Sequence, residues 1–247
     1  MNLISDLLST LQLDSTVREV RQGPFQTAAL IRDCGLAATP HERGYHHNSV
    51  PVNDAGCLTD KKASELAQTA QSPNLFEAAI GMASINSLLD IDEQRCVDIN
   101  GGDLLVEESK QKKVALVGHF PFVAQLRQAA RYLWVIERQP RQGDVGESEV
   151  ESLIPQADVV GITGSAFINH TVEHLLALCS PKAYVVVLGA TTPLSAVLFD
   201  YGVNAISGTR VADPETVLRY VSQGATFRQL KGIQLLTMKR DRSGKKT

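Results

Sequence analysis

His119 stands where an imidazole can do chemistry. It follows Gly118 at the end of the apolar run 114–117 and precedes Phe120 and Pro121. Histidine changes charge near neutrality, so a histidine held at a turn can give or take a proton. Gly118 allows a sharp exit from a strand, and Pro121 suits the first turn of a helix. The amides opening that helix have no partner within it and face outward, ready for an anionic or polar ligand group. The turn lacks the second and third glycines of a G-x-G-x-x-G loop, so a pyrophosphate cannot approach closely. A nucleoside-like ligand such as S-adenosylmethionine is easier to accommodate there than NAD.

Other segments offer matching groups. Glu137 lies nineteen residues after Gly118, close to the offset of about twenty at which an acid meets ribose hydroxyls in nucleotide-binding sheets. Thr163, Gly164 and Ser165 with Asn169, and Gly189 through Thr191, Thr192 and Pro193, supply amides and hydroxyls. Such groups bind an oxyanion or carboxylate, and they equally cap the helix that follows. Asn86 shares a helix face with Leu75, Ala79 and Met82. A buried amide must find hydrogen bonds, so Asn86 is either a clamp or a polar group facing a cleft, and it stands beside His119 as a candidate catalytic residue. His170, Glu173 and His174 fit the H-x-x-E-H pattern of zinc peptidases, but at 100° per residue they oppose the apolar stripe of Val172, Leu175, Leu176 and Cys179 and face solvent or a partner. His41, His46 and His47, with Glu42 nearby, could present a metal or a general base from a long loop over 41–59.

Those residues need a scaffold, and from about residue 113 apolar runs alternate with helical patterns. Runs at 114–117, 133–136, 159–162, 183–188 and 203–206 read as parallel strands, with 233–238 as a sixth strand. The intervening segments 123–131, 147–153, 171–179, 194–200 and 214–222 read as helices. The expectation is α/β: a Rossmann-like, doubly wound parallel sheet. The first half differs. Strands at 16–21, 25–31 and 36–39 are joined too closely for parallel pairing, and helices at 61–71 and 75–89 follow, which gives a small α+β domain over about 1–100. Leu3, Leu7, Leu8 and Leu11 make an amphipathic N-terminal helix, and Asn100 to Asp103 with 107–113 read as the linker to a second domain over 101–247.

Composition narrows the partners. With 43% hydrophobic and 21% charged residues and a net charge of −3, the 247-residue chain reads as globular, with no basic footprint for nucleic acid and no membrane span. Cys34, Cys57, Cys96 and Cys179 form no short pair, which fits a reduced, cytoplasmic setting.

The segments 113–121, Gly143-Asp144, 158–165, 189–194 and 206–208, in this order and spacing, resemble the family known as domain of unknown function 364, also described as a heavy-metal chelation domain. The helix containing Ile80 to Asn86 looks like the segment closing that family's first domain. The resemblance implies an enolase N-terminal-like domain, then a Rossmann-like one, with the active site where they meet. It further implies metal chelation, or condensation or hydrolysis of small pterin-like or siderophore-like heterocycles, with partial likeness to methyltransferases. By position it carries over Gly118, His119, Pro121, Thr163, Gly164, Thr191, Thr192, Pro193 and Asn86.

The reading is then a small-molecule protein with its site in the interdomain cleft, at the carboxyl ends of the parallel strands. Turn amides hold the ligand, Glu137 binds hydroxyls and His119 transfers a proton if a reaction occurs. The alternatives are an S-adenosylmethionine-binding methyltransferase-like domain and a non-catalytic transition-metal binder. Whether the chain is an enzyme, and whether it forms a homo-oligomer, are left open.

Overall fold

The computed structural model describes residues 2–40 and 51–240. Two sheets organise them. The small one is an antiparallel meander of β1 (Glu19–Gln22), β2 (Gln26–Leu30) and β3 (Cys34–Ala38). The first strand is shorter than expected and begins three residues later. β2 and β3 are buried on both faces, which explains their alanine- and glycine-rich sequence. On one face Ala29 and Ala37 meet α2 (Ala63–Gln68) and the all-round apolar α3 (Leu75–Leu88). On the other, Ala28 and Leu36 pack against Val217, Leu218 and Val221.

The large sheet has the order β4-β11-β10-β9-β8-β5-β6-β7. Its parallel part is β5 (Lys113–Val117), β6 (Tyr132–Glu137), β7 (Val145–Gly146), β8 (Val159–Thr163), β9 (Tyr184–Leu188) and β10 (Ala205–Val211). The five expected parallel strands are all present, joined by the two-residue β7. The strand at β11 (Ile233–Lys239) exists but runs antiparallel to β10, because α10 (Pro214–Ser222) packs on the small sheet and does not cross the large one, so the chain re-enters at the edge it left, where the Ala212 amide donates to the Gly232 carbonyl. β4 (Cys96–Val97) extends that edge.

Alternate residues of the strands face opposite layers. Val114 and Leu116 of β5 join Leu104 and Leu105 of α4 (Gly101–Glu108) and Leu126 of α5 (Val123–Ala129). Ala115 of the same strand faces the cluster that includes α6 (Val150–Leu153), α7 (Ser165–Ile168), α8 (Val172–Leu178) and α9 (Val197–Asp200). The expected linker is therefore a correction: most of it is α4. The Asn100 side chain accepts from the Gly102 amide at 2.8 Å, and this cap outweighs the two glycines at the helix start. The segment expected to be helical over 194–200 is helical only at its end, in α9.

The two sheets are not independent bodies. Helix α1 (Leu3–Ser9) docks on the far half, where the Leu3 amide donates to Glu173 (2.7 Å) and the Tyr201 hydroxyl to Asp6 (2.5 Å). Arg21 of β1 donates to the Leu218 carbonyl and the Ser222 hydroxyl of α10. The small sheet is thus pinned above the carboxyl ends of the parallel strands.

Candidate functional site

The rim of the large sheet starts at Gly118. Its φ of +100° is the left-handed region, and a Cβ there would stand 3.0 Å from that of Thr163, so glycine is required on both counts. The turn sets His119 with Nδ1 3.1 Å from Asp144 Oδ2. The Asp144 side chain is 1% exposed and that of His119 24%. Asp144 is held by its own turn: Oδ2 also accepts from the Arg141 amide (3.1 Å), and Gly143 at φ +87° makes the bend. Its other oxygen is buried with no hydrogen-bond partner, the Arg127 guanidinium lying 3.7 Å away. An ionised carboxylate can only accept, so it draws the ring proton to Nδ1 and leaves the Nε2 lone pair free.

A cleft opens beside this pair. One lobe of about 500 Å³ is lined by His119, Glu137, Asn169 and Leu175, with Phe25 and Thr39 from the small sheet. A second, of about 770 Å³, is lined by Pro121, Gly189, Ser207 and the start of α4. Gln26, Ala38, Phe120, Thr163 and Phe227 line both and form the partition. Beyond His119 an open recess of about 550 Å³ is bordered by Arg127, Arg141 and Arg228. Arg127 donates to the Gly143 carbonyl, whereas the guanidinium groups of Arg141 and Arg228 form no ion pair among the described residues.

Most of the expected site residues do come together here. Gly118, His119, Phe120, Glu137, Thr163, Ser165 and Asn169 line the first lobe, and Phe120, Pro121, Thr163 and Gly189 the second. Some of their polar atoms are occupied locally. Asn169 Oδ1 accepts from the Thr171 hydroxyl (2.7 Å), and Thr163 Oγ1 from the Ser165 amide (3.3 Å).

Asn86 and the turn at 191–193 lie elsewhere. Asn86 Nδ2 donates to the carbonyls of Leu36 (2.8 Å) and Thr191 (3.1 Å), and the Thr191 hydroxyl accepts from the Ala38 amide (2.9 Å). These residues tie the small sheet to the large one and do not line the cleft. Thr192 is buried, and Gly164 is small because a Cβ would come within 2.6 Å of Thr192 Oγ1.

The H-x-x-E-H residues are three unrelated contacts. His170 lies outside α8, at φ +60°, with Nε2 2.8 Å from the Ser72 carbonyl oxygen. His174 pairs with Glu151 and Glu173 accepts from Leu3. His41, Glu42, His46 and His47 lie outside the described residues. Among the described residues no group of three or more His, Cys, Asp and Glu side chains is placed to hold a metal ion. Among the described residues His119 has one carboxylate on Nδ1 and no third donor, so the described residues by themselves do not complete a metal site. Burial pushes the thiols of Cys34 and Cys179 up to about 12, and no cysteine lines either lobe, so no thiolate nucleophile stands at the cleft.

Sequence reasoning gave no role to Asp144, Gln26 or Phe227. Asp144 had a visible signal in the pair Gly143-Asp144, but its partner is 25 residues away. Gln26 is a polar residue starting a strand that is otherwise small and apolar, which is a weak sign.

Comparison with known proteins agrees with the geometry of the fold. Residues 100–239 match the DUF364 family, and residues 4–89 match the DUF4213 family, each described as "Putative heavy-metal chelation". An uncharacterized protein of Methanocaldococcus jannaschii is 26% identical over 182 residues, 70% of each chain. The crystal structure of a DUF364 protein of unknown function from Desulfitobacterium hafniense superposes with a TM-score of 0.83 at 25% identity, covering 96% of this chain and 98% of that one. A second, from Pyrococcus horikoshii, gives 0.80 at 20% identity over 96% and 98%.

Proposed function

The chain belongs to the DUF364 family, and from the cleft it carries we propose that it binds a small, flat, anionic ligand and exchanges a proton with it through His119. The His119–Asp144 pair carries this reading. A nearly fully buried carboxylate engages one imidazole nitrogen of a side chain that lines the cleft, and the other nitrogen has no hydrogen-bond partner among the described residues, the arrangement a general acid or base needs. The guanidinium groups of Arg141 and Arg228 in the adjoining recess, which form no ion pair among the described residues, supply the charge that an anionic group would meet. Glu137, which follows the Val117–Ile136 pair of β5 and β6 and so lies beside the Gly118 turn, lines the same lobe and would accept hydrogen bonds from ligand hydroxyls.

The strand order, with β5 central and the chain stepping first to β6 and β7 and then back to β8, supports a Rossmann-like reading with the ligand at the switch point. The division into domains over 1–100 and 101–247 belongs to the same reading, and four free thiols support a reducing, cytoplasmic setting. No helix among the described residues is long and apolar enough to cross a membrane.

Quinoline-2-carboxylate, a flat anion, tests the site by calorimetry. The expected dissociation constant is below about 1 mM, weakening about tenfold in the Arg141→Ala, Arg228→Ala double variant. Absence of heat at saturating concentrations ends the reading. The same titration with S-adenosylmethionine decides the methyltransferase-like alternative.

A further inference from the structure

We propose that the recess beyond His119 holds the phosphoryl dianion of a phosphate monoester, with Arg127, Arg141 and Arg228 around it and the rest of the ligand entering the first lobe. This rests on the reading of the cleft as an anion site and names the anion. Three separate segments bring guanidinium groups to the one recess: Arg127 stands on α5, Arg141 in the turn that holds Asp144, and Arg228 in the helical turn Phe227–Gln229. That last turn is tied down by the Gln229 side chain, which accepts from the Thr226 amide (3.0 Å) and hydroxyl (2.8 Å).

Arginines elsewhere are used by the fold. Arg18 donates to the Ile31 and Arg32 carbonyls, Arg32 to the Leu89 carbonyl, and Arg210 pairs with Glu93. The guanidinium groups of Arg141 and Arg228 make neither a hydrogen bond nor an ion pair among the described residues. Arg127 spends one N–H on the Gly143 carbonyl (3.0 Å) and stands 3.7 Å from Asp144, which leaves most of its five donors for a ligand.

The distribution of charge selects the recess over the lobes. The chain as a whole carries −3, yet no acidic side chain lines the recess. Asp144, the acid beside Arg127, is 1% exposed and is not part of the lining. The first lobe holds Glu137 and Glu147, with Arg138 paired to Glu147 at 3.6 Å, and the second holds Asp103. An anionic group is therefore repelled where the acids are and drawn to the arginines.

Three cations exceed what one negative charge balances. A phosphate monoester carries nearly two charges at neutral pH and three terminal oxygens that accept from guanidinium forks, whereas a carboxylate has one charge and two oxygens. His119 and Phe120 line both the recess and the first lobe, so a phosphoryl group seated among the arginines directs the rest of the molecule past the imidazole.

The test is calorimetry at fixed ionic strength with phenyl phosphate, methyl phenyl phosphate and inorganic phosphate. The methyl ester keeps the ring and loses one charge and one terminal oxygen, and inorganic phosphate keeps the charge without the ring. The full-length protein is expected to bind phenyl phosphate at least about tenfold more tightly than either. Arg141→Gln and Arg228→Gln are each expected to weaken phenyl phosphate about tenfold and the diester less than about threefold. Arg127→Lys, which keeps the charge and loses the fork, is expected to weaken phenyl phosphate about threefold. Arg141 and Arg228 are exposed, so their variants are expected to melt within about a degree of the wild type, and their lost affinity reports the recess.

Equal affinity for the monoester and the diester, inorganic phosphate bound as tightly as phenyl phosphate, no binding of phenyl phosphate at millimolar concentration, or arginine variants that bind it as the wild type does would each overturn the proposal. The quinoline-2-carboxylate titration separates the two readings. Binding of that carboxylate with no preference for phenyl phosphate over its diester removes only the phosphoryl assignment. A preference for the dianion without binding of quinoline-2-carboxylate removes the flat-ring part of the proposed function and leaves the recess standing.

Discussion

At the scale of single residues, the informative feature is a histidine whose two nitrogens have different surroundings. Asp144 Oδ2 lies against Nδ1 while Nε2 has no hydrogen-bond partner among the described residues, so the neutral ring is expected to carry its proton on Nδ1. Long-range 15N–1H spectra of the wild type should show a single Nδ1–H pattern for His119. In Asp144→Asn the amide can donate as well as accept, and the expected result is a mixture of tautomers. An Nε2–H pattern in the wild type would contradict the assignment. The histidine itself was legible in the sequence, because a glycine after an apolar run and a proline three positions on mark a strand end. Asp144 was not, since its position depends on how the turn at 141–144 folds back over the end of β5.

At the scale of elements, close backbone approach decides more than propensity. Gly81 sits inside α3, where alanine would ordinarily favour the helix by about 1 kcal/mol. Here a Cβ would lie 1.9 Å from the Ala70 amide nitrogen, a backbone atom that cannot swing aside. Gly81→Ala is therefore expected to destabilise by about 2 kcal/mol, read as a lower denaturation midpoint at unchanged slope. A stabilised variant would show that the 69–71 turn can move. The small side chains of Ala78, Ala79, Gly81 and Ala83 permit so close a contact, although which element makes it cannot be read from spacing. The same limit applies at α4, where two glycines resemble a linker until the Asn100 cap and the close approach of Gly101 to Ser207 of β10 are seen.

At the scale of the whole molecule, the small sheet is sandwiched between α3 and α10, and this leaves a signature in the pH dependence of stability. Cys34, at the start of β3, is 4% exposed, and burial raises its thiol from 9.0 to about 12. The unfolded chain loses this proton near 9 while the folded protein keeps it. The contribution is fully present below pH 9 and is lost as pH rises toward 12. The expected slope is about 1.4 kcal/mol per pH unit for this one group in that window, and Cys34→Ala should flatten the decline by that amount in urea titrations at pH 9 to 11. An unchanged slope would mean that Cys34 is accessible to solvent and that the sheet is not covered on both sides.

Local chemistry explains which features could be read directly from the chain. Solid apolar runs between helical patterns specify strands covered on both faces, short joints force antiparallel pairing, and a glycine with a histidine beside it marks a strand end. Packing settled the rest. Asn86 and Thr191 became ties between the sheets because the backbone carbonyls and amide they engage come from segments 50 to 153 residues distant in the chain. Asp144 reached His119 and Gln26 the cleft lining for the same reason: a side chain's partners depend on which surfaces meet, and periodicity specifies only the face it starts from.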